Sequence, residues 1–506
     1  MANLVQIAEQ RRSRLHASWA CWQINSLPRF DRFLVDNFPQ DRRFPIPNSI
    51  TTQTDDSQVP VADLQGNQQE LEALGHKSSP FFFGLGTLGM TVAGETFGAF
   101  AYFYYVDFLG LTLALAALAR TIYAIWDALN DPLFSYLSDS TRTRWGRRRP
   151  WLLISVPFLA LSFVLIFLVP GSMRGQNILF WYLVAVTLLY ETFLTITGVN
   201  YNVLFPELFR TLPDRVRAGA FNRAGLILGV FVGLALTPLV YEQLGFQKMA
   251  LLYAALAGIV LFIATLRHRE DSSYQNPAIP GPWPIFREIL KGRTFWLYAL
   301  TLAIFAFAVN LFPFAIPFYS KYALGAESGT IVLIFAVSLT AALGSVPVWV
   351  RLYRRWGTAT VFLRSMGVIV IASLGLGLAP ESVTAILATG IYGIGWGGCQ
   401  VCFDVIRADL VDRHFHLTGQ RSEAVYFSLL GVGIHLSGVL QGAAMFAVSG
   451  LFGFISGEQP GPQPDLAFRF LIGVVPVIGL LLSMYFARQF FNQIAPKPAS
   501  KQMPWS

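Results

Sequence analysis

Asp127 and Asp131 stand four residues apart in W-D-A-L-N-D-P (126–132), within an otherwise apolar run. Residues four apart share one face of a helix, so the two carboxylates point the same way. Pro132 has no backbone N–H and frees a carbonyl one turn back, near Ala128. Two carboxylates with a carbonyl beside them make a hard-oxygen set, suited to Na⁺, Li⁺ or a proton. A charge in hydrocarbon costs several kcal/mol and by default marks an ion or substrate path. The plainer reading is a structural ion pair. Arg120, seven residues before Asp127 on the same face, would neutralise one Asp and could serve as its partner in one conformation.

Other polar residues interrupt apolar stretches. Glu95 and Glu191 lie in mid-run, with Thr195 one turn after Glu191. Arg223, near the start of a run, either snorkels to the surface or binds a solute. Asp404 and Arg407 read as a pair or a gate. His435 is either a satisfied buried polar group or a residue that titrates or binds substrate. Cys399 and Cys402 form C-x-x-C in an apolar stretch and read as two small buried hydrophobes, with a redox or metal pair as the lesser reading. With Cys21 they are too few for a disulfide framework.

The elements that must hold these groups are membrane helices. The chain has 506 residues, 54% hydrophobic and 13% charged. A soluble chain carries about 25% charge. An apolar run of about 20 residues spans a bilayer. Hydropathy predicts twelve spans: 80–105, 111–137, 150–170, 178–203, 219–243, 248–267, 294–320, 328–350, 359–379, 383–406, 423–450 and 466–491. Lys and Arg collect in alternate connections. Arg142, Arg144, Arg147, Arg148 and Arg149 follow span 2; Arg210, Arg215 and Arg217 follow span 4. The pattern repeats after spans 6, 8 and 10, whereas the other connections hold Arg174, Lys248 and Lys321. Basic loops stay in the cytoplasm, which places both termini there. The net charge of +8 is therefore read as topology and not as a nucleic-acid footprint.

Before the first span, 1–76 is a polar tail without a signal-peptide pattern. It reads as flexible, although 16–34 could form an amphipathic surface helix interrupted by Pro28. A weak repeat joins R-T-R-W-G-R-R-R-P (142–150) to R-L-Y-R-R-W-G-T (351–358), each at the same point of a six-helix unit. The expected organisation is a tail (1–76), a first six-helix half (77–267), a linker (268–293), a second half (294–491) and a second tail (492–506). Gly225, Gly229 and Gly233 recur at spacing four, which lets helices approach closely. The glycines at 390, 393, 395, 397 and 398 are expected to weaken span 10 and mark a bend.

At W-D-A-L-N-D-P and R-T-R-W-G-R-R-R-P-W-L-L (142–153) the chain resembles the glycoside–pentoside–hexuronide:cation symporters. The likeness continues in Y-Y-V-D-F-L-G-L (104–111), L-F-P-E-L (204–208), A-D-L-V-D (408–412) and R-S-E-A-V-Y-F-S (421–428). The resemblance implies the major facilitator fold, an all-α membrane protein of twelve transmembrane helices in two six-helix halves, with its site between the halves. It implies that Asp127, Asp131 and Thr195 ligate a coupling cation and that Arg223 lies near the substrate. It also implies that Arg142, Arg144, Arg147 and Arg148, with Asp409, gate the cytoplasmic side. Departures are equally informative. Thr91, Gly198, Asn202, Gln400 and His435 stand where sugar-transporting members have Asp, Asp, Trp, Trp and Lys. The cation half looks kept and the sugar-gripping half rebuilt, with Glu95, Asn202, Arg223, Trp396, Gln400 and His435 as candidate substrate residues.

The expected function is symport of a small polar solute, a sugar or glycoside, with Na⁺ or H⁺ by alternating access. With His435 at the Lys position, a proton could serve as the coupling ion. The rival readings are a lysolipid or other amphiphile symporter, and a sensor in which Arg120 locks the Asp pair. No H-E-x-x-H, P-loop or dinucleotide fingerprint supports an enzyme. The expectation includes no cofactor or metal beyond the coupling cation, a bilayer around the chain, no nucleic acid, and a monomer.

Overall fold

In hydrocarbon each backbone polar group must be satisfied without water, and an apolar run of about 20 residues does so by itself as a helix. The computed structural model describes residues 78–494 apart from 142, 144, 145, 174, 210, 269–286, 288 and 419–422, with backbone alone at 212, 404, 407, 408, 411–418 and 423–428. The first tail, Cys21, Arg142, Arg144, most of the linker and most of the second tail lie outside the described residues, as do the side chains of Asp404 and Arg407.

Twelve rods follow in chain order. They are α1 (Pro80–Phe103), α2 (Leu113–Ser140), α3 (Arg149–Phe167), α4 (Gln176–Leu208) and α5 (Leu212–Val230, continued by a π-turn Phe231–Leu236 and by Thr237–Leu244). Next come α6 (Phe246–Arg267) and α7 (Arg293–Tyr322). α8 and α9 are the two arms of Ser328–Leu378, parted at Gly357. α10 (Ser382–Thr418), α11 (Glu423–Phe452) and α12 (Pro464–Arg469, a π-turn Phe470–Val474, Val475–Ile494) complete the bundle. Nine helices among the described residues, counting Ser328–Leu378 once, are long and apolar enough to cross a membrane. α1 and α2 fall outside that nine; α2 carries Arg120, Asp127, Asp131 and Asp139.

The Arg-Trp-Gly repeat has a structural counterpart. Gly146 and Gly357 have φ of 107° and 73°, in the left-handed region that glycine enters without a Cβ clash. Each turns the chain between two helices at matching points of the bundle.

The glycines of α5 let it lie against α1. A Cβ at Gly225 would strike the Gly84 carbonyl, and one at Gly229 would sit 2.6 Å from Thr91 Cβ. The glycines of α10 do not break it, since Ser382–Thr418 is one continuous helix. Their bare faces accept α8 and α9 instead: a Cβ at Gly397 would lie 2.6 Å from the Ala342 carbonyl, and one at Gly395 would lie 2.7 Å from Ile369. Cys399 and Cys402 are buried and unpaired, packed as small hydrophobes.

The first six helices meet the last six toward the face away from the Arg-rich loops. Gly438 of α11 faces Ala124 of α2, and Phe103 of α1 meets Phe318 of α7 edge-on at 5.0 Å. Beyond them, the Leu113 amide donates to the Ile455 carbonyl (2.7 Å) and the Gly457 amide to Val106 (2.9 Å). Just past α1, the fully shielded Asp107 carboxylate takes Lys321 Nζ at 2.6 Å and the Tyr322 hydroxyl, both at the end of α7.

Candidate functional site

α2 and α11 bring His435 onto the two acids that stand 308 and 304 residues before it in the chain. Nδ1 lies 2.7 Å from Asp127 Oδ2 and Nε2 lies 3.1 Å from Asp131 Oδ2. An imidazole donates from both nitrogens only when protonated. The geometry is thus a protonated ring between two carboxylates, or a neutral ring beside one protonated acid. The trio is not sealed, for the Asp131 side chain is 35% exposed, against 13% for Asp127.

A second layer lies behind Asp127. The Thr195 hydroxyl sits 2.8 Å from Asn130 Oδ1 and 3.1 Å from Glu191 Oε1, and the Tyr123 hydroxyl donates to Glu191. Asp127 and Glu191 are close enough to repel one another when both are charged. The Thr195 hydroxyl therefore faces Glu191 and Asn130 rather than completing a shell with the two Asp residues. Among the described residues no group of three or more His, Cys, Asp or Glu is arranged to hold a metal ion, because the two Asp oxygens are turned to the His435 ring.

Arg120 does not neutralise either acid. Its Nη2 and Nε donate to Gln441 Oε1 at 2.8 and 3.2 Å, and its guanidinium lies over the Tyr123 and Tyr102 rings at 5.0 and 5.6 Å. The basic neighbour of the Asp pair is the residue expected to touch substrate. Three participants have no place in the sequence reading: Asn130, Gln441 and Tyr123. Asn130 stands inside the quoted motif and Gln441 is a polar interruption of span 11, so a signal existed for both.

The other expected substrate residues separate. Glu95 and Trp396 line one cavity of about 160 Å³, with Val230, Phe231, Leu234, Asn310, Phe312, Phe335, Ser338 and Tyr392 among its walls. α1 and α5 supply one side, and α7, α8 and α10 the other. Asn202, Arg223 and Gln400 are exposed and lie off this cavity, as does His435.

At the basic face, Arg147 binds Glu207 (3.0 Å) and approaches Asp139 (3.8 Å). Arg148 pairs with Asp139 and donates to Ser138 Oγ at 2.8 Å. These partners belong to α2 and α4, within the first six helices. Burial pulls the Arg148 guanidinium below its usual range, while Asp139 opposes the shift. Asp409 is half-buried on α10.

A family profile described as MFS/sugar transport protein matches residues 82–491. The glucuronide carrier protein homolog of Escherichia coli is 24% identical over 429 residues, covering 81% of this chain and 89% of that protein. Sodium-dependent lysophosphatidylcholine symporter 1 of Gallus gallus is 24% identical over 467 residues, covering 80% and 85%. An uncharacterized symporter of Synechocystis sp. is 29% identical over 228 residues, and the match spans 40% of that relative's length. In three dimensions the chain resembles the nucleoside transporter NupG, with a TM-score of 0.59, 12% identity, and coverage of 83% of this chain and 99% of that one. At that identity the likeness speaks for the fold.

Proposed function

From its membership of the MFS/sugar transport protein family, to which this chain belongs, we propose that it is a cation-coupled symporter whose coupling site is Asp127, Asp131 and His435. The observation that carries this is the His435 ring held between both acids at 2.7 and 3.1 Å.

The mechanism follows from which half supplies each group. α2 brings the two acids and α11 brings the ring, so the bridge ties the halves together. A cation arriving at the carboxylates takes the place of the protonated ring. Carboxylate oxygens and the carbonyl freed by Pro132 suit a hard ion. Once His435 gives up its place, α2 and α11 are no longer joined at this level and the halves can rock. Glu191, Thr195 and Asn130 orient Asp127 from behind as positioning residues. Substrate and cation each favour the same closed arrangement, and such coupling is reciprocal. One chain supplies both sides of the site, so the transporting unit is the monomer.

The Arg-rich connections put both termini in the cytoplasm. The contacts through Asp107, Ile455 and Gly457 then close the outer face, and the state is inward-facing. Arg147 and Arg148, with Arg142, Arg144 and Asp409, form the opposing gate when the halves rock.

The named substrates of the relatives are glucuronide, isoprimeverose and lysophosphatidylcholine. The cavity favours the amphiphile reading over the sugar reading, because most of its wall is aliphatic or aromatic.

Purified protein in sealed vesicles tests the coupling. Uptake of sugars and of lysolipids is followed under an imposed Na⁺ gradient, an imposed proton gradient, or both. We expect accumulation against a gradient in the wild type and its loss in Asp127→Asn with insertion intact. Concentrative uptake that survives Asp127→Asn would disprove the coupling role.

A further inference from the structure

We propose that the cavity walled by Glu95, Phe231, Phe312, Phe335, Tyr392 and Trp396 binds the cationic group of an apolar-bodied organic solute, with the Glu95 carboxylate as its counter-charge. This rests on the symport reading and gives its substrate a chemical class.

The first support is the state of Glu95. Among the described residues it forms no hydrogen bond or ion pair. A carboxylate deep among apolar groups without a partner is costly. What holds it there is packing. The Thr96 hydroxyl, next in the chain, donates to the Gly233 carbonyl at 3.2 Å and fixes α1 against the π-turn of α5. Gly233 has no side chain to displace Glu95: a Cβ there would lie 2.9 Å from Glu95 Cβ. The π-turn Phe231–Leu236 adds a residue to the helical turn and sets Phe231, Leu234 and Ala235 together on the cavity wall.

The second support is the inventory of polar groups. Asn310 and Ser338 are the only other lining side chains that are polar and not aromatic. The Tyr392 hydroxyl is already donated to the Val309 carbonyl at 3.1 Å. A hexose brings five hydroxyls, and each one left unmet in a buried site costs about 1–3 kcal/mol. This wall has too few partners for them. It has instead five aromatic rings, two of which, Phe312 and Tyr392, stack on one another at 4.2 Å and 14°. Aromatic faces attract alkylated ammonium groups, by about 0.5–2 kcal/mol. The one carboxyl group is that of Glu95. A cavity of about 150 Å³ admits a benzene-sized guest, so the 160 Å³ here fits a trimethylammonium group with a short stem.

The third support is position. The first six helices supply Glu95 and Phe231, and the last six supply the other rings. A guest bound here touches both halves, as a transported solute must. No residue is shared with the Asp127–Asp131–His435 trio, so solute and ion sites are separate.

The test is calorimetric titration of the full chain in detergent with choline and with 3,3-dimethyl-1-butanol, its neutral isostere. We expect choline to bind at least about tenfold more tightly than the isostere. Glu95→Gln should weaken choline by about tenfold or more and leave the isostere unchanged, and Trp396→Leu should weaken choline as well. Equal affinity for the two probes, tighter binding of glucose than of choline, or choline binding unaltered by Glu95→Gln would overturn the proposal. Absence of choline binding to folded wild type would also overturn it, yet gradient-driven uptake of another solute in vesicles would leave the symport reading standing. Choline bound as expected, with no accumulation under either gradient, would sink the symport reading and leave the site.

Discussion

A neutral imidazole donates one hydrogen bond and accepts one, whereas His435 has a carboxylate oxygen against each nitrogen. When protonated, the ring acts as a tethered cation in the site that a free cation must enter. Competition of that kind has a sign. Lowering the pH favours the protonated ring and weakens the entry of Na⁺; raising it strengthens entry, because each ion bound releases a proton. The limit for one proton released per ion is about tenfold in apparent affinity per pH unit. His435→Gln should flatten this dependence while Na⁺ still binds, and Na⁺-dependent uptake measured from pH 5 to 9 gives the comparison. If the proton itself is the coupling ion, the same variant instead abolishes uptake driven by a proton gradient in Na⁺-free vesicles. A steep Na⁺ dependence on pH that persists in His435→Gln would show that the ring is a bystander. Arg120, which the sequence offered as the neutralising partner, is held by Gln441 and by two aromatic rings, and by neither Asp.

Helix ends and helix faces carry the next level. His268 closes α6 and is 2% exposed, beside the rings of Phe83 and Tyr201. Burial pulls its imidazole from 6.5 down to about 4. Between those values the unfolded chain takes up a proton that the folded chain refuses, so stability falls as the pH drops from about 6.5 to about 4 and is flat above. The loss reaches at most about 3 kcal/mol. His268→Phe keeps an aromatic group against Phe83 and Tyr201. It should reduce the drop in melting temperature between pH 7 and pH 4.5, read by scanning fluorimetry in detergent; an unchanged drop would remove His268 from the account. At this scale the sequence was legible in some respects and silent in others. Hydropathy located the rods because a bilayer leaves the backbone no alternative to a helix. It stopped short at the ends next to the Arg-rich connections, placing span 4 at 203 and span 10 at 406, where the helices run on to Leu208 and Thr418. Those turns are too polar to register as membrane. The Gly225–Gly229–Gly233 spacing announced a close contact but not its partner, which is α1. In α10 glycine density suggested weakness, yet the helix runs unbroken, packed on two sides by α8 and α9. Asp127, Asp131, Glu191 and His435 were each visible as polar groups in apolar runs. Their meeting was not, because it depends on α2 lying against α11, and no local pattern encodes that neighbour.

At the scale of the whole molecule, alternating access requires each face to open while the other is shut, and the two halves are here joined away from the Arg-rich loops. Asp107 stands at that junction. Its carboxylate is fully shielded, sits just beyond α1, and is held by Lys321 and Tyr322 of the other half. Leaving a shielded carboxylate without its cation is costly, whereas water would solvate it if the face parted. Lys321→Met should therefore shift the population toward the state open at that face. The size is moderate, about three- to tenfold, because Lys321 is half exposed and part of its attraction is screened. A single cysteine reports the shift. Thr121 of α2 packs against Gly442 of α11 at the junction of the halves. Thr121→Cys, with Cys21, Cys399 and Cys402 replaced by Ser, becomes more reachable by a membrane-impermeant maleimide when α2 and α11 separate there. Labelling should be faster in Lys321→Met and should return to the starting rate in Lys321→Arg, which restores the charge. Faster labelling should also come with weaker inward-directed uptake, since the open face must close again for each cycle. Equal labelling rates for Met, Arg and Lys at position 321 would mean that the aromatic contacts of α1 with α7 hold the face shut and that the Asp107 pair adds nothing to them.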